Sequence, residues 1–402
     1  QYTDTGRVSM SKSSVEAYLS GTSEPAVRSV LEAWQLAGGA SLEKYEAAKR
    51  IAVNGRAHDT MKWYGAHTGR YSGQLLQVQN FPNVYSTKEE LRDARKRIFQ
   101  NTATADDLKR CLRGMVKASK GRVLYDVDYS QAEARFAYWL TEENWAKEVF
   151  KTGGDLYKQT ASEMFRKPVD KVTKDERTLG KVAVLAGNFG GWIGSYQSFA
   201  SLYGVDIPEE RARELCGQFR DSIPKTVKFW QELNDAAIYA VSGGDGAEAG
   251  IGGQLDNDGC RFLHHRGNLM LFPPSGNPLI YRDARVEERD HGPEVTYWAA
   301  LSSATRERAI AVRGQEAKYS IYGGKFLENL TQSLTASLID FAIRRVASIA
   351  DPIIQVHDQL VIEGEPGMED QIRAAMSKRP GWLWEDYPLD FELTTMHRWR
   401  KV

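Results

Sequence analysis

The stretch that most constrains this chain runs Val123-Leu-Tyr-Asp-Val-Asp-Tyr-Ser-Gln-Ala-Glu-Ala-Arg135. Val123 to Val127 alternate β-branched, aromatic and acidic side chains, which predicts a strand. Ser130 can cap a helix, and Gln131 to Leu140 carries a helical pattern with Glu133 in its first turn. Asp128 therefore falls where a strand gives way to a helix. A carboxylate there is held by rigid backbone and aimed at solvent, which suits a metal-binding acid. The same position also suits a turn or cap residue, and this segment alone does not choose between them.

A chain of 402 residues can bury a large core, and its length suggests two or three structural units. Apolar content of 42% and charged content of 26% are those of an ordinary globular protein. Lys+Arg and Asp+Glu are each 53, so the formal net charge is zero. That total does not by itself favour nucleic acid, although it can hide a basic cleft beside acidic faces. Cys111, Cys216 and Cys260 are odd in number and far apart, which excludes a disulfide framework or zinc knuckle and suits a reducing compartment. No apolar run is long enough to span a bilayer and no signal peptide opens the chain, so no membrane partner and a cytoplasmic location are expected. Gln1 in place of methionine leads us to expect a fragment of something longer.

Along the chain, Ser11 to Leu19, Glu24 to Leu36 and Ser41 to Val53 repeat apolar residues at helical spacing. Trp63 to Asn83, rich in glycine and hydrogen-bonding side chains, reads as a long surface loop, and Lys88 to Lys120 as charged, solvated helices. Between Thr173 and Gly191, the residues Arg177, Lys181, Leu185 and Phe189 fall four apart. Each step of four drifts only ~40° on a helix, so they form one slowly turning stripe about 18 Å long. Two cations followed by two apolar groups match an elongated ligand with an anionic end and a planar end, such as a nucleoside triphosphate. A basic amphipathic helix docked on a core has the same pattern. Ser242 to Gly253 reads as a glycine-rich loop and Arg261 to Val295 as short strands and turns. His264-His265 has no third ligand spaced nearby and reads as a surface pair. Lys325 to Ala347 is a long helix with Glu328, Asn329 and Gln332 close together on a face. Two β-rich arms, Ile353 to Glu363, flank a tight hairpin with His357 and Asp358 at its tip. Leu389 to Val402 reads as a strand ending in a basic cluster.

In combination these segments resemble family A DNA polymerases. Asp128-Tyr-Ser-Gln-Ala-Glu-Ala-Arg135 resembles the family's first palm motif, and Gln355-Val-His-Asp-Gln359 its second. Arg177-x3-Lys181-x7-Phe189-Gly190 matches the fingers helix, and Thr68-Gly-Arg70 with Gln79-Asn80-x-Pro82 matches the loop before the first acid. All occur in the family's order, over roughly residues 15 to 402. Gly180-Lys-Val-Ala-Val-Leu185 and Tyr322-Gly-Gly-Lys-x2-Glu-Asn-x2-Gln332 look most like the phage-encoded branch.

The resemblance implies an α+β right-hand polymerase fold, with an antiparallel-sheet palm, helical fingers and a partial helical thumb. Its expected parts are a partial thumb at 1–60, palm at 61–150, fingers with a strand-rich insertion at 151–305, and palm again at 306–402. The implied function is template-directed addition of deoxynucleoside triphosphates to a primer 3′-OH, in phage DNA replication. Primer-template DNA and the triphosphates are the implied partners of a monomer, with any processivity factor unknown. The implied cofactor is a pair of Mg²⁺ ions, with Mn²⁺ as a substitute. Two ions about 4 Å apart clamp both oxygens of an in-line displacement. Asp128, Asp358 and the Tyr129 carbonyl would hold them, since magnesium takes hard oxygen ligands and few from protein. Arg177 and Lys181 would neutralise the triphosphate, with Lys181 protonating the departing pyrophosphate. Gln131, Glu133, Leu185 and Phe189 would complete the nucleotide site, Glu133 excluding ribose and Phe189 stacking at the templating position. Arg70, Gln79, Asn80, Gln332 and His357 would face DNA. Arg70 and Gln332 would sit in the minor groove, where every correct pair offers the same acceptors.

The chain also departs from the family pattern. Leu185 stands where relatives usually have an aromatic residue, Phe189 and Tyr157 where many have tyrosine and histidine, and Gln359 where glutamate is common. These departures bear on substrate discrimination and remove no metal ligand. The roughly 60 residues before the palm are too few for a proofreading exonuclease. Two other readings remain at this level: a catalytically silent primer-template-binding module, and a two-metal nuclease, which would not need the fingers stripe.

Overall fold

In the computed structural model, residues 15, 18, 19, 24–37, 43–82, 84–251, 259–289, 292–301 and 308–401 are described. The strand expected near Asp128 spans Val123–Tyr129 and lies inside a four-stranded antiparallel sheet. The order in that sheet is Asp351–Val356, Gln359–Gly364, Val123–Tyr129, Phe391–Met396. Period-2 alternation splits the strand between two cores. Val123, Tyr125, Val127 and Tyr129 enter the main core with Phe136, Leu334 and Leu338. Leu124 faces the other way, into a smaller core of Leu76, Val78, Phe81, Leu112, Val356 and Trp399. Asp126 and Asp128 share that second face by the same alternation.

The helix after the strand is Ala132–Leu140, and it is not capped by Ser130. Gln131 takes the N-cap position in a left-handed conformation (φ 52°) with no side-chain cap bond. That backbone costs about 1–2 kcal/mol for a residue with a Cβ. Arg135 ties the turn back instead, donating Nε to the Ser130 carbonyl at 2.8 Å and pairing with Asp390 at 2.9 Å. The buried face of the long helix Gly323–Val346 packs across Ala132–Leu140.

The helix bearing Arg177, Lys181 and Leu185 spans Lys174–Gly187 and opens with a Thr173/Glu176 capping box, and Phe189, expected on the same helix, lies in the turn just past its end. The helix packs on Leu156–Phe165, Ile193–Leu202 and Glu209–Ser222. Gly180 lets it approach Leu156–Phe165 closely, because a Cβ there would collide with the Tyr157 carbonyl.

Three sequence expectations need correction. Trp63 to Asn83 is more than a surface loop: Met61–Lys62 pairs with Ser72–Gly73, and Leu76, Val78 and Phe81 are buried in the smaller core. Asn83 itself lies outside the described residues, as do most of Ser11 to Leu19. Glu248–Gly250, read as loop, is an edge strand, because pairing with Arg261–His265 outweighs its glycine-rich composition. The boundary drawn at 305 falls inside a seven-stranded antiparallel sheet that continues to Ile321. Its order is Ala311–Arg313, Glu316–Ile321, Gly292–Ala300, Leu279–Arg289, Asn268–Phe272, Arg261–His265, Glu248–Gly250. Among the described residues no helix is long and apolar enough to cross a membrane.

Two helical glycines give a paired test of the packing. Gly180→Ala should destabilise the protein by about 1–3 kcal/mol through overpacking. Gly217, exposed with open space around it, should gain up to ~1 kcal/mol on the same change. Denaturant titration of both variants reads this; a stabilised Gly180→Ala would contradict the close approach.

Candidate active site

Pairing brings the two acids together. Asp351–Val356 and Gln359–Gly364 form a hairpin whose turn holds His357 in left-handed conformation (φ 55°) and Asp358. Gln359 pairs opposite Asp128, and the Tyr129 N–H donates to the Asp358 carbonyl at 3.0 Å. Both carboxylates therefore stand at one end of one sheet, Asp128 near the end of its strand and Asp358 in the turn that leads into the neighbouring strand. Burial, and then the neighbouring Asp128 charge, push the Asp358 carboxyl up to about 6.

The sequence reading missed three supports of this pair. Asp126 lies one pleat below Asp128, accepting from Gln359 Nε2 at 2.6 Å and from the Trp399 indole at 3.1 Å. Its burial raises the carboxyl to about 6. Lys401 places its ammonium 3.3 Å from Asp128 Oδ2 and also lowers the proton affinity of Asp358. Trp399 is fully buried under this tail, and Arg113 covers its ring at 4.3 Å. A legible signal existed in the matched spacings Asp126/Asp128 and Trp399/Lys401, two apart on extended chain.

The donor set fits Mg²⁺. It offers two carboxylates, both hard-oxygen donors, and their mutual repulsion favours a cation between them. Lys401 already supplies such a positive charge to Asp128. Among the described residues no group of three or more His, Cys, Asp or Glu is placed to hold a metal by itself, so substrate and water oxygens would complete the shell.

Arg70 links the acids to the neighbouring cavity. It is ion-paired with Glu133, and the charges of Asp358 and Glu328 act on its guanidinium. Gln332 donates to Glu328 at 3.1 Å, whereas Asn329 turns away and donates to the buried Tyr281 hydroxyl at 3.0 Å. His357 is exposed at the hairpin tip; partial dehydration and then Arg70 hold its imidazole below the usual value. Gln79 braces the hairpin through the Gln355 carbonyl at 3.0 Å, and Asn80 bonds Gln77 at 3.2 Å. Gln131 is exposed at the helix entry.

The stripe of four divides. Leu185 and Phe189 line a cavity of about 970 Å³ together with Glu133, Lys325 and Glu328. Arg177 and Lys181, farther up, contact other groups. Arg177 donates Nε to Asp155 at 2.6 Å, and Lys181 stands over the Tyr203 and Tyr157 rings at 4.3 and 5.7 Å. Asp155 and Tyr203 were invisible to periodicity because they sit at the ends of other helices, Leu156–Phe165 and Ile193–Leu202.

The half-buried Asp358 gives a pH signature. The Asp358 carboxyl stands near 6 in the fold and near 3.9 in an unfolded chain. Between those values the folded chain binds more protons, so its stability falls as pH rises through that window. Asp358→Asn should raise the melting temperature at neutral pH in metal-free buffer and flatten its fall between about pH 4 and 6. An unchanged profile by calorimetry would contradict a partly dehydrated carboxylate repelled by Asp128.

Comparison with known proteins adds to this geometry. Residues 1–240 match DNA polymerase family A. A DNA polymerase of Bacillus phage SP02 is 30% identical over 392 residues, covering 93% of this chain and 57% of the relative. DNA polymerase I of Aquifex aeolicus is 29% identical over 194 residues, 48% of this chain and 28% of that protein. The chain thus spans little more than half of the first relative's length and less of the second. The POL domain of Pol1 from M. smegmatis, solved with DNA primer-template and dNTP, covers 100% of this chain and 58% of its own length. Its TM-score is 0.62 at 19% identity, which establishes the shared α+β right-hand polymerase fold. With more than half of its residues inside the family match, the chain belongs to DNA polymerase family A.

Proposed function

We propose that this chain is a template-directed DNA polymerase that extends a primer 3′-OH with deoxynucleoside triphosphates by a two-metal-ion mechanism. The observation that carries this is the meeting of Asp128 with Asp358 in the turn before the neighbouring strand, linked through Arg70 to the cavity lined by Glu133, Leu185 and Phe189. In this reading residues 1–60 are a partial thumb, 61–150 and Tyr322 onward the palm, and 151–321 the fingers with the seven-stranded sheet inserted. The protein acts as a monomer in the cytoplasm of a bacterial or phage-infected cell, a setting that suits its free, buried cysteines.

Bound Mg²⁺, held by Asp128, Asp358 and the Tyr129 carbonyl, would neutralise charge on the attacking and leaving oxygens of the displacement. The protein's own groups do the rest. Arg177 and Lys181 bring positive charge to the triphosphate, and Lys181 Nζ carries the proton given to the leaving pyrophosphate. Phe189 offers a ring face to the templating pair, and Leu185 covers the sugar without a hydrogen-bond donor. Glu133 packs at the sugar's C2′ side, and substrate entry exchanges its Arg70 contact for minor-groove acceptors that Arg70 and Gln332 can read. Gln79, Asn80, His357 and Gln131 frame the DNA and nucleotide approach.

The test is extension of a labelled primer on a DNA template. Asp128→Ala and Asp358→Ala should each slow single-turnover extension by at least ~10²–10³-fold, while primer-template affinity stays near the wild-type value. Wild-type rates in either variant would overturn the assignment. Binding without extension by the wild type would leave a silent primer-template-binding module.

A further inference from the structure

The two acids and the residues lining the cavity come from separate segments, and their offset must be fixed by contacts between those segments. At the front of the site Arg70 and Glu133 touch, a contact that substrate entry exchanges. Behind it two helices meet. Ala132–Leu140 starts at the turn after Asp128 and carries Tyr138 about 9 Å further along its axis. Lys174–Gly187 ends on Asn188, its C-cap, directly before Phe189. Tyr138 donates its hydroxyl to Asn188 Oδ1 at 2.8 Å.

That bond is sealed from solvent. Tyr138 is 0% and Asn188 1% exposed, so no water can replace either partner. Trp145 and Phe150 flank the Tyr138 ring, with centroids 6.0 and 6.4 Å away, and fix where its hydroxyl points. A carbonyl buried in such surroundings is costly without a donor, so the pair admits one arrangement of the helix end. Other contacts hold the same turn. Gly187 leaves no space for a Cβ beside Tyr196 and Phe219, and the Tyr322 hydroxyl donates to the Phe189 carbonyl at 3.3 Å. Past Tyr138 the chain is tied to the helix Pro224–Ser242: the Thr141 and Thr226 hydroxyls are 3.0 Å apart, and Glu143 accepts from the Lys225 N–H at 3.1 Å. The Tyr138–Asn188 bond is the member of this polar seam that reaches the cavity, which Asn188 helps to line.

We infer that Tyr138 is a positioning residue for nucleotide binding, which rests on the polymerase reading above. Through Asn188 it sets where Phe189 and Leu185 stand relative to Asp128. Base and sugar then meet a surface already in place, while Tyr138 itself touches no substrate. Breaking the bond leaves the strand end that bears Asp128 where it is and frees the helix end that bears Phe189. The loss therefore falls on nucleotide binding, with the chemical step largely kept.

Single-nucleotide extension on one primer-template, with calorimetric melting alongside, tests this in three variants: Tyr138→Phe, Asn188→Leu and the two combined. Tyr138→Phe leaves the Asn188 carbonyl without its donor and Asn188→Leu leaves the hydroxyl without its acceptor, so each should lower the melting temperature. Each should also raise the nucleotide KM about tenfold while kcat stays within about twofold. The double variant buries no stranded polar group, so its melting temperature should recover toward that of the wild type. Its nucleotide KM should stay about tenfold high, because nothing then fixes the helix end. A KM that never moves, or one that recovers in step with the melting temperature, would overturn the positioning role. Should the single variants melt too early to assay, the double variant decides alone, and a wild-type KM there overturns the inference. A wild-type protein that fails to extend primers would sink the polymerase reading and this inference with it. Normal extension with a KM indifferent to Tyr138 would sink this inference alone.

Discussion

The candidate site depends on antiparallel pairing of one interior strand, Val123–Tyr129, with Gln359–Gly364 on one side and Phe391–Met396 on the other. Register fixes which residues meet. A slip of one residue would turn Asp126 and Asp128 into the main core and Tyr125 toward the site. Two apolar cores, one on each face of this strand, specify the register from both sides. The acids are thus positioned by hydrophobic burial that has no chemistry of its own.

Such an arrangement opposes stability locally. Two partly dehydrated carboxylates side by side repel each other, and Asp126 adds a third just beneath. The fold answers with directed partners. Gln359 and the Trp399 indole satisfy Asp126, and Lys401 offsets the charge on Asp128. Gln359 is the residue that departs from the family's common glutamate. As an amide it donates to Asp126, where a glutamate would add a fourth negative charge to the cluster. The departure is therefore physically consistent with its neighbours.

Much of the fold and site could be read from the sequence, and the features that escaped share a cause. The Val123–Tyr129 strand, the hairpin around Asp358 and the long helix follow from local periodicity and turn chemistry, so they were legible. Ser130 looked like a cap because of its residue type, but Arg135 and Asp390, far apart in sequence, fix that turn. Lys401, Tyr203 and Asp155 act on the site through tertiary contacts that no window of sequence contains. The sheet past residue 305 was cut short because its strands were read one at a time, while pairing defines it. Likewise the stripe of Arg177, Lys181, Leu185 and Phe189 is real as spacing, yet the fold gives its two halves different surroundings.

Nucleotidyl transfer here depends on Asp128 and Asp358 forming one shared cation site. Titration of Mn²⁺ into the protein, followed by electron paramagnetic resonance in the presence of primer-template and nucleotide, measures this directly. A shared site predicts Mn²⁺ binding that Mg²⁺ displaces, and near-complete loss of it in Asp128→Asn and in Asp358→Asn taken singly. Wild-type Mn²⁺ binding in either single variant would contradict a shared site.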